Sequence, residues 1–175
     1  MATQTVRDSK SRGAAPDQAP EKVVPLTWEE QELEAYEPKR AKALEEKRKA
    51  AAKVALLLRQ LPHQWNALRE IVNIRCESLN AKAGRAILRS IDPQQDRLEI
   101  RREDDSSIEV RFDAPSKKVT FSGKAFGYDR EYELIVQSYD GTDITVWYSQ
   151  ASLATEQPDE IVKSMLATFL RADES

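Results

Sequence analysis

The chain has 175 residues, of which 40% are hydrophobic and 33% are charged, a composition typical of one soluble globular domain with a tail. No apolar run approaches the ~18 residues of a membrane-spanning helix, and the N-terminus lacks the apolar core of a secretory signal. The formal net charge of −3 argues against a basic protein that binds nucleic acid with its whole surface. We therefore expect a cytoplasmic protein, and its single cysteine, Cys76, agrees with a reducing compartment.

Charge is distributed unevenly near the N-terminus. The segment Thr27–Pro38 contains five glutamates and no basic residue, whereas Lys39–Leu61 contains eight lysines or arginines and two glutamates, a local charge of 8 − 2 = +6. Blocks of opposite sign can pair with each other along one helix or across two helices. The pattern therefore predicts charged helices.

The first elements in chain order are a tail and a helical arm. Residues 1–25 are rich in polar residues and proline, so we expect them to be disordered. Residues 26–61 form the predicted arm, in which Thr27 and Glu30 make a capping box and Pro38 interrupts the helix. From Lys39 to Gln60 the apolar positions fall within one narrow sector at 100° per residue. They are Leu44, Ala51, Val54, Ala55 and Leu58, and Leu61 continues the series.

A break or kink is predicted at Leu61–Pro62, followed by a helix that belongs to a globular domain of residues 62–175. Its apolar residues recur at intervals of three and four, and Gly84 is placed to cap its C-terminus. This stripe consists of Trp65, Leu68, Val72, Cys76, Leu79 and Ala83.

After Gly84 the apolar period changes from 3.6 to 2, and short alternating runs are separated by turn clusters. The predicted strands are 85–91, 97–102, 107–112, 118–122, 131–138 and 144–149. Short connections imply an antiparallel meander. The segment QPDEIVKSMLATFLRA, residues 157–172, reads as an amphipathic helix with Pro158 at a first helical position. The predicted fold class is α+β, a meander of five to six strands with helices packed on one face.

The turn between the last two predicted strands determines which side chains share a face. A two-residue loop would set Leu134 opposite Trp147, and it would scatter apolar residues over both faces. A three-residue loop with Gly141 at a positive φ pairs Val136 with Val146, and we expect this register. It places Ile135 and Trp147 together on the face away from the helices.

Residue types that carry chemistry are sparse. His63 stands alone at a helix start, and Cys76 lies on a buried stripe, so neither predicts catalysis. The acidic turn 103–105 lacks the spacing of a calcium loop. The loop Gly123–Gly127 is not followed by a helix start that could bind phosphate. We predict no catalytic residue, no cofactor and no metal site.

The leading functional prediction is a non-enzymatic binding or assembly module in which the helical arm mediates association with a protein partner or a second copy. The predicted partner-binding residues are Leu56, Leu57, Leu61, Ile135 and Trp147. The three leucines of the arm and the Ile135–Trp147 pair of the sheet would each be an exposed apolar patch, and such patches usually mark contacts. We expect the two patches to meet, within one chain or between two subunits. The alternative is nucleic-acid or other polyanion binding through a basic helix face, formed by Lys42, Lys47, Arg48, Lys49 and Lys53. An enzyme is the third possibility, and no membrane association is expected.

Overall fold

The computed structural model describes residues 27–172, and the tail predicted for residues 1–25 lies outside them. A long helix is followed by seven strands and a C-terminal helix, with a single 3₁₀ turn at Lys124–Phe126. The chain divides into two compact units, Met1–Ala43 and Leu44–Ser175. The elements are α1 (Trp28–Ala83), β1 (Leu88–Gln94), β2 (Arg97–Arg102), β3 (Ser107–Asp113), β4 (Lys118–Ser122), β5 (Arg130–Tyr139), β6 (Thr142–Ser149), β7 (Ala154–Glu156) and α2 (Pro158–Arg171).

Helix α1 begins with the predicted capping box. The Thr27 backbone N–H donates to Glu30 Oε2 at 2.7 Å, and the Glu30 N–H donates to Thr27 Oγ1 at 3.4 Å. At the other end Gly84 adopts a φ of 67°, the left-handed conformation of a helix C-terminal cap. Both ends of the helix were therefore readable from local sequence.

The interruption predicted at Pro38 and a helix break at Pro62 are wrong, because α1 continues through both prolines. At Pro62 the reason is packing. Leu61 and Trp65, on either side of the proline, are both buried in the same core, and this burial outweighs the lost N–H and the helix penalty of about 3 kcal/mol. Pro38 lies among exposed residues, and no packing in the structure explains its tolerance.

The seven strands form one open antiparallel sheet in sequential order, β1 to β7. This confirms the α+β meander, with one strand more than expected. β1 begins three residues later than predicted, and the added strand β7 pairs with the end of β6 through Trp147, Tyr148 and Ser149. A strand of three residues is too short to show an alternating pattern in sequence.

The register predicted for the β5–β6 hairpin is wrong. Asp140 and Gly141 form a two-residue turn with φ values of 48° and 75°, as in a type I′ turn. Leu134 therefore faces Trp147, and Ile135 faces Val146. Trp147 is only 1% exposed and belongs to the core, so its predicted place on the outer face is also wrong.

The core lies between the helices and one face of the sheet. Of the stripe predicted for the second half of α1, Trp65, Leu68, Val72 and Cys76 are in it, Leu79 is partly buried at its margin, and Ala83 is exposed. Phe112 and Val136 also lie at the margin. Val146 is buried but lies outside the core cluster, on the Ile135 face. The fully buried centre includes Leu68, Val72, Leu98, Ile100, Ile108, Leu134, Ile161 and Met165.

Polar contacts fix the second half of α1 on the sheet. The Trp65 indole N–H donates to the Gln95 carbonyl at 2.8 Å, and Gln64 Nε2 donates to Thr145 Oγ1 at 3.3 Å. Nearer the helix end, Asn80 accepts from the backbone N–H groups of residues 87 and 88 and donates to the Leu88 carbonyl. The Asn80 side chain thus satisfies backbone groups at the start of the edge strand β1. Without it, these groups would be free to hydrogen-bond with a strand of another chain.

The opposite face of the sheet carries cross-strand ion pairs. Arg97 pairs with Glu109 at 3.2 Å, and Lys118 pairs with Glu131 at 2.9 Å. These side chains are partly exposed, and such pairs contribute only about 0–1 kcal/mol each. Charge therefore keeps most of this face open to water.

Candidate interaction surface on helix α1

An apolar strip of α1 within Leu44–Ser175 is left uncovered. Leu44, Val54 and Leu58 are 51%, 50% and 59% exposed, and Ala51 and Ala55 lie in the same sector of the helix at 100° per residue. We call these five residues the exposed α1 face. A single exposed leucine is ordinary, but an aligned series on one helix face is typical of a surface that contacts another helix.

Two of the three partner-binding residues predicted on α1 are buried in the core. Leu57 and Leu61 continue the stripe of Trp65 and Leu68 within the core cluster, so their burial is intramolecular. Leu56 is half-buried and lies outside that cluster. The apolar pattern therefore passes from a covered stripe to an uncovered one between Leu61 and Val54.

The remaining two predicted partner-binding residues are separated by the corrected register. Trp147 has essentially no exposed surface in the chain. Ile135 is half-buried on the outer face of the sheet, beside Val146. The structure places Trp147 in the same core cluster as Leu57 and Leu61, and Ile135 lies apart from it.

The five predicted polyanion-binding residues differ in their surroundings. Lys49 pairs with Glu45 at 2.7 Å, and this contact raises the pKa of the lysine. Lys53 donates to Ser138 Oγ at 3.0 Å and lies 3.9 Å from Asp143. Acidic residues of the chain thus compete with an external polyanion for two of the five cations.

Lys42, Lys47 and Arg48 complete this set. All three are exposed, and none of them forms an ion pair with another residue of 27–172. Lys47 has a special position, because at 100° per residue it falls between Val54 and Leu58 in the middle of the exposed α1 face. Any apolar surface that covered this face alone would bury an unpaired ammonium group, which is unfavourable.

The first unit carries a second helical surface, which is acidic. Trp28, Leu33 and Tyr36 are 70%, 57% and 58% exposed. Four of the five glutamates of Thr27–Pro38 lie between them and the fifth follows Tyr36, and all five are exposed. The segment combines exposed apolar side chains with a carboxylate-rich surface.

Sequence reasoning missed a groove between the end of α1 and α2. It has a volume of about 300 Å³ and an apolar floor that includes Leu79 and Leu166. Its rim contains Arg75, Lys82, Lys163 and Arg171. Asp159 neutralises part of this charge, because it accepts from Arg75 at 2.5 Å and pairs with Lys163 at 3.0 Å. The basic residues on α1 and α2 were visible in sequence, but their convergence was not.

Residue types considered for catalysis lie in ordinary surroundings. Cys76 is buried, and burial, aided by Glu77, raises the pKa of its thiol to about 11. His63 is exposed on α1. Arg102 holds the pKa of Asp104 well below its usual value through a hydrogen bond. Within residues 27–172 no group of three or more histidine, cysteine or carboxylate side chains is arranged to hold a metal ion.

Within the same described range, no helix has the length and apolar character needed to cross a membrane. No protein-family model matches the chain, and no curated protein or solved structure is significantly similar to it.

Proposed function

We propose that this protein is an assembly module that self-associates through the exposed α1 face. The observation that carries the proposal is the exposure of Leu44, Val54 and Leu58, each at least half accessible and aligned on one side of a helix. Burying such side chains is worth about 1.5–3 kcal/mol each when the burial is complete. A second helix packed along α1 could cover all of these side chains at once.

The spacing of the face supports a helical partner. Leu44, Ala51 and Leu58 recur every seven residues, and Val54 lies three residues after Ala51, as in the a and d positions of a coiled coil. The same repeat continues into Trp65 and Val72, which the sheet covers. One heptad pattern therefore supplies both the intramolecular core and the exposed strip.

Molar mass measured by sedimentation equilibrium over a wide range of protein concentration tests the proposal. We expect a concentration-dependent rise towards twice the mass of one chain. The double variant Leu44→Gln with Leu58→Gln should remain monomeric, because it places two polar amides in the apolar contact. Ala52→Gln, an exposed substitution on another side of the helix, is the matched control and should associate like the wild type.

A wild-type chain that stays monomeric at every concentration would refute the proposal. Equal association of the Leu44/Leu58 double variant and the wild type would show that a different surface is used. Unfolding midpoints of all three proteins check that the substitutions leave the domain intact, since the positions are exposed.

Polyanion binding is the alternative, and it is supported by the exposed Lys42, Lys47 and Arg48. Titration with labelled single- and double-stranded nucleic acid at several salt concentrations separates the two functions. Binding below the micromolar range at physiological salt, lost when these three residues are replaced by glutamine, would favour the alternative. We expect no such binding, because acidic residues already compete for Lys49 and Lys53.

A further inference from the structure

We infer that the exposed α1 face is covered by the acidic segment Thr27–Pro38 of a second copy, in an antiparallel pair of helices. This inference rests on the proposed function, and it names the segment that occupies the surface. It follows from charge complementarity between two parts of the chain.

The exposed α1 face requires an acidic occupant. Lys47 interrupts its apolar strip, and Arg48 lies at its margin. A purely apolar helix would leave the Lys47 ammonium group desolvated and unpaired, whereas a helix that brings a carboxylate to the same level would satisfy it. A second basic segment would add repulsion.

Within the described part of the chain, Thr27–Pro38 meets this requirement. It has five glutamates and no basic residue, and it is helical from Trp28 onwards. It also exposes Leu33 and Tyr36, which lie three residues apart and therefore on the same side of the helix. The segment thus offers apolar anchors and carboxylates together.

The order of the two blocks determines the orientation. The acidic block precedes the basic block in the chain, so a parallel pair would align like charges along its whole length. An antiparallel pair aligns each acidic block with the basic block of the other copy. Charge at such positions is what commonly sets orientation in paired helices.

A specific register gives the Lys47 ammonium group a carboxylate partner. If Glu37 lies opposite Lys47 of the second copy, Leu33 lies opposite Ala51, and Leu44 lies opposite the aliphatic stem of Arg40. The two-fold symmetry of such a pair makes every contact occur twice. The ion-paired level is flanked by the Leu33–Ala51 level and the Leu44–Arg40 level. In this register Thr27–Pro38 lies opposite residues 46–57, and Val54 meets the aliphatic part of Glu30.

Charge exchange between Glu37 and Lys47 tests the inference on the full chain. Self-association of the wild type is compared with that of Glu37→Lys, Lys47→Glu and the double variant carrying both changes. Each single variant places like charges opposite each other twice, and we expect its dissociation constant to rise about tenfold or more. The double variant restores opposite charges and should associate nearly as tightly as the wild type.

Glu46→Lys is the control for net charge, because it makes the same change away from the exposed α1 face. It should weaken association much less than Glu37→Lys. The pattern is specific to the antiparallel arrangement, because in a parallel pair residue 37 meets residue 37. There the single and double variants would all associate to a similar degree.

The outcomes separate the inference from the proposed function. One outcome is that the wild type associates and the Leu44/Leu58 double variant does not, but the Glu37/Lys47 double variant associates no more tightly than the two single charge variants. The acidic segment is then not the occupant, and the assembly proposal stands. If the wild type never associates, both fail. Far-UV circular dichroism of each charge variant verifies that the helix content is unchanged.

Discussion

Two tryptophans are buried to nearly the same extent but differ in the hydrogen bonding of the indole N–H. Replacing each of them by phenylalanine measures what this difference contributes to the free energy of unfolding. Trp65 and Trp147 are 3% and 1% exposed. The Trp65 indole N–H donates to the Gln95 carbonyl at 2.8 Å. The Trp147 indole N–H is buried and has no acceptor within the described part of the chain. The same substitution therefore removes a hydrogen bond at one site and an unsatisfied donor at the other.

The two effects have opposite signs. At either site the smaller ring leaves a void of about 40 Å³, which costs about 1 kcal/mol at ~24 cal/mol per Å³. At Trp65 the lost hydrogen bond adds about 0.5–1.5 kcal/mol. At Trp147 the removal of an unpaired buried donor returns about 1–3 kcal/mol. We therefore expect Trp65→Phe to destabilise by about 1.5–2.5 kcal/mol, and Trp147→Phe to leave stability unchanged or to raise it by up to about 2 kcal/mol.

Urea unfolding followed by far-UV circular dichroism measures both free energies, because tryptophan fluorescence is altered by the substitutions themselves. The ring stacking of residue 65 on Phe112, with centroids 5.3 Å apart, is retained by phenylalanine, so the comparison isolates the indole nitrogen. Equal destabilisation by the two variants would refute the reasoning. It would mean that the Trp147 N–H is satisfied in the folded protein.

Three further predictions concern stability and reactivity. Phe169→Ala should lower the free energy of unfolding by about 3–5 kcal/mol in urea, because the ring is 1% exposed; a loss below ~1 kcal/mol would contradict its place in the core. Cys76, with a thiol pKa of about 11 caused by burial, should react with a thiol reagent at pH 8 far more slowly in the folded protein than in urea, and equal rates would contradict that burial. Hydrogen bonds from Arg75 and then Lys163 lower the pKa of Asp159 below 3.8, so its stabilising effect is present above that pH and is lost as the pH falls through the lowered pKa. Asp159→Asn should therefore be less stable than the wild type at pH 7, with a difference that narrows at pH 3; a constant difference in midpoint would assign the effect to packing.

The sequence by itself determined the elements whose signals are local. The capping box of Thr27 and Glu30, the cap at Gly84 and the alternating strands depend on residues within a few positions of each other, so their physics is visible in the chain. The periodic stripe around Trp65 and Val72 likewise predicted a core helix. Short turns between alternating runs were enough to predict an antiparallel meander.

Only the tertiary structure decided the course of α1 and the face of Trp147. Local chemistry predicts a break at Pro62, but burial of Leu61 and Trp65 on one sheet outweighs it. In the β5–β6 hairpin, the preference of Asp140 and Gly141 for a two-residue turn outweighed the advantage of placing the apolar side chains on one face of the sheet. A one-residue difference in register then moves every side chain of β6 to the other face.

The candidate surface shows the same division. The heptad spacing of Leu44, Ala51 and Leu58 is a property of the sequence, and so is the order of the acidic and basic blocks. Which part of that spacing is covered depends on where the sheet ends beneath the helix, a contact between residues far apart in the chain. For this reason the sequence placed Leu57 and Leu61 among the partner-binding residues, whereas the fold buries them and leaves Leu44, Val54 and Leu58 exposed.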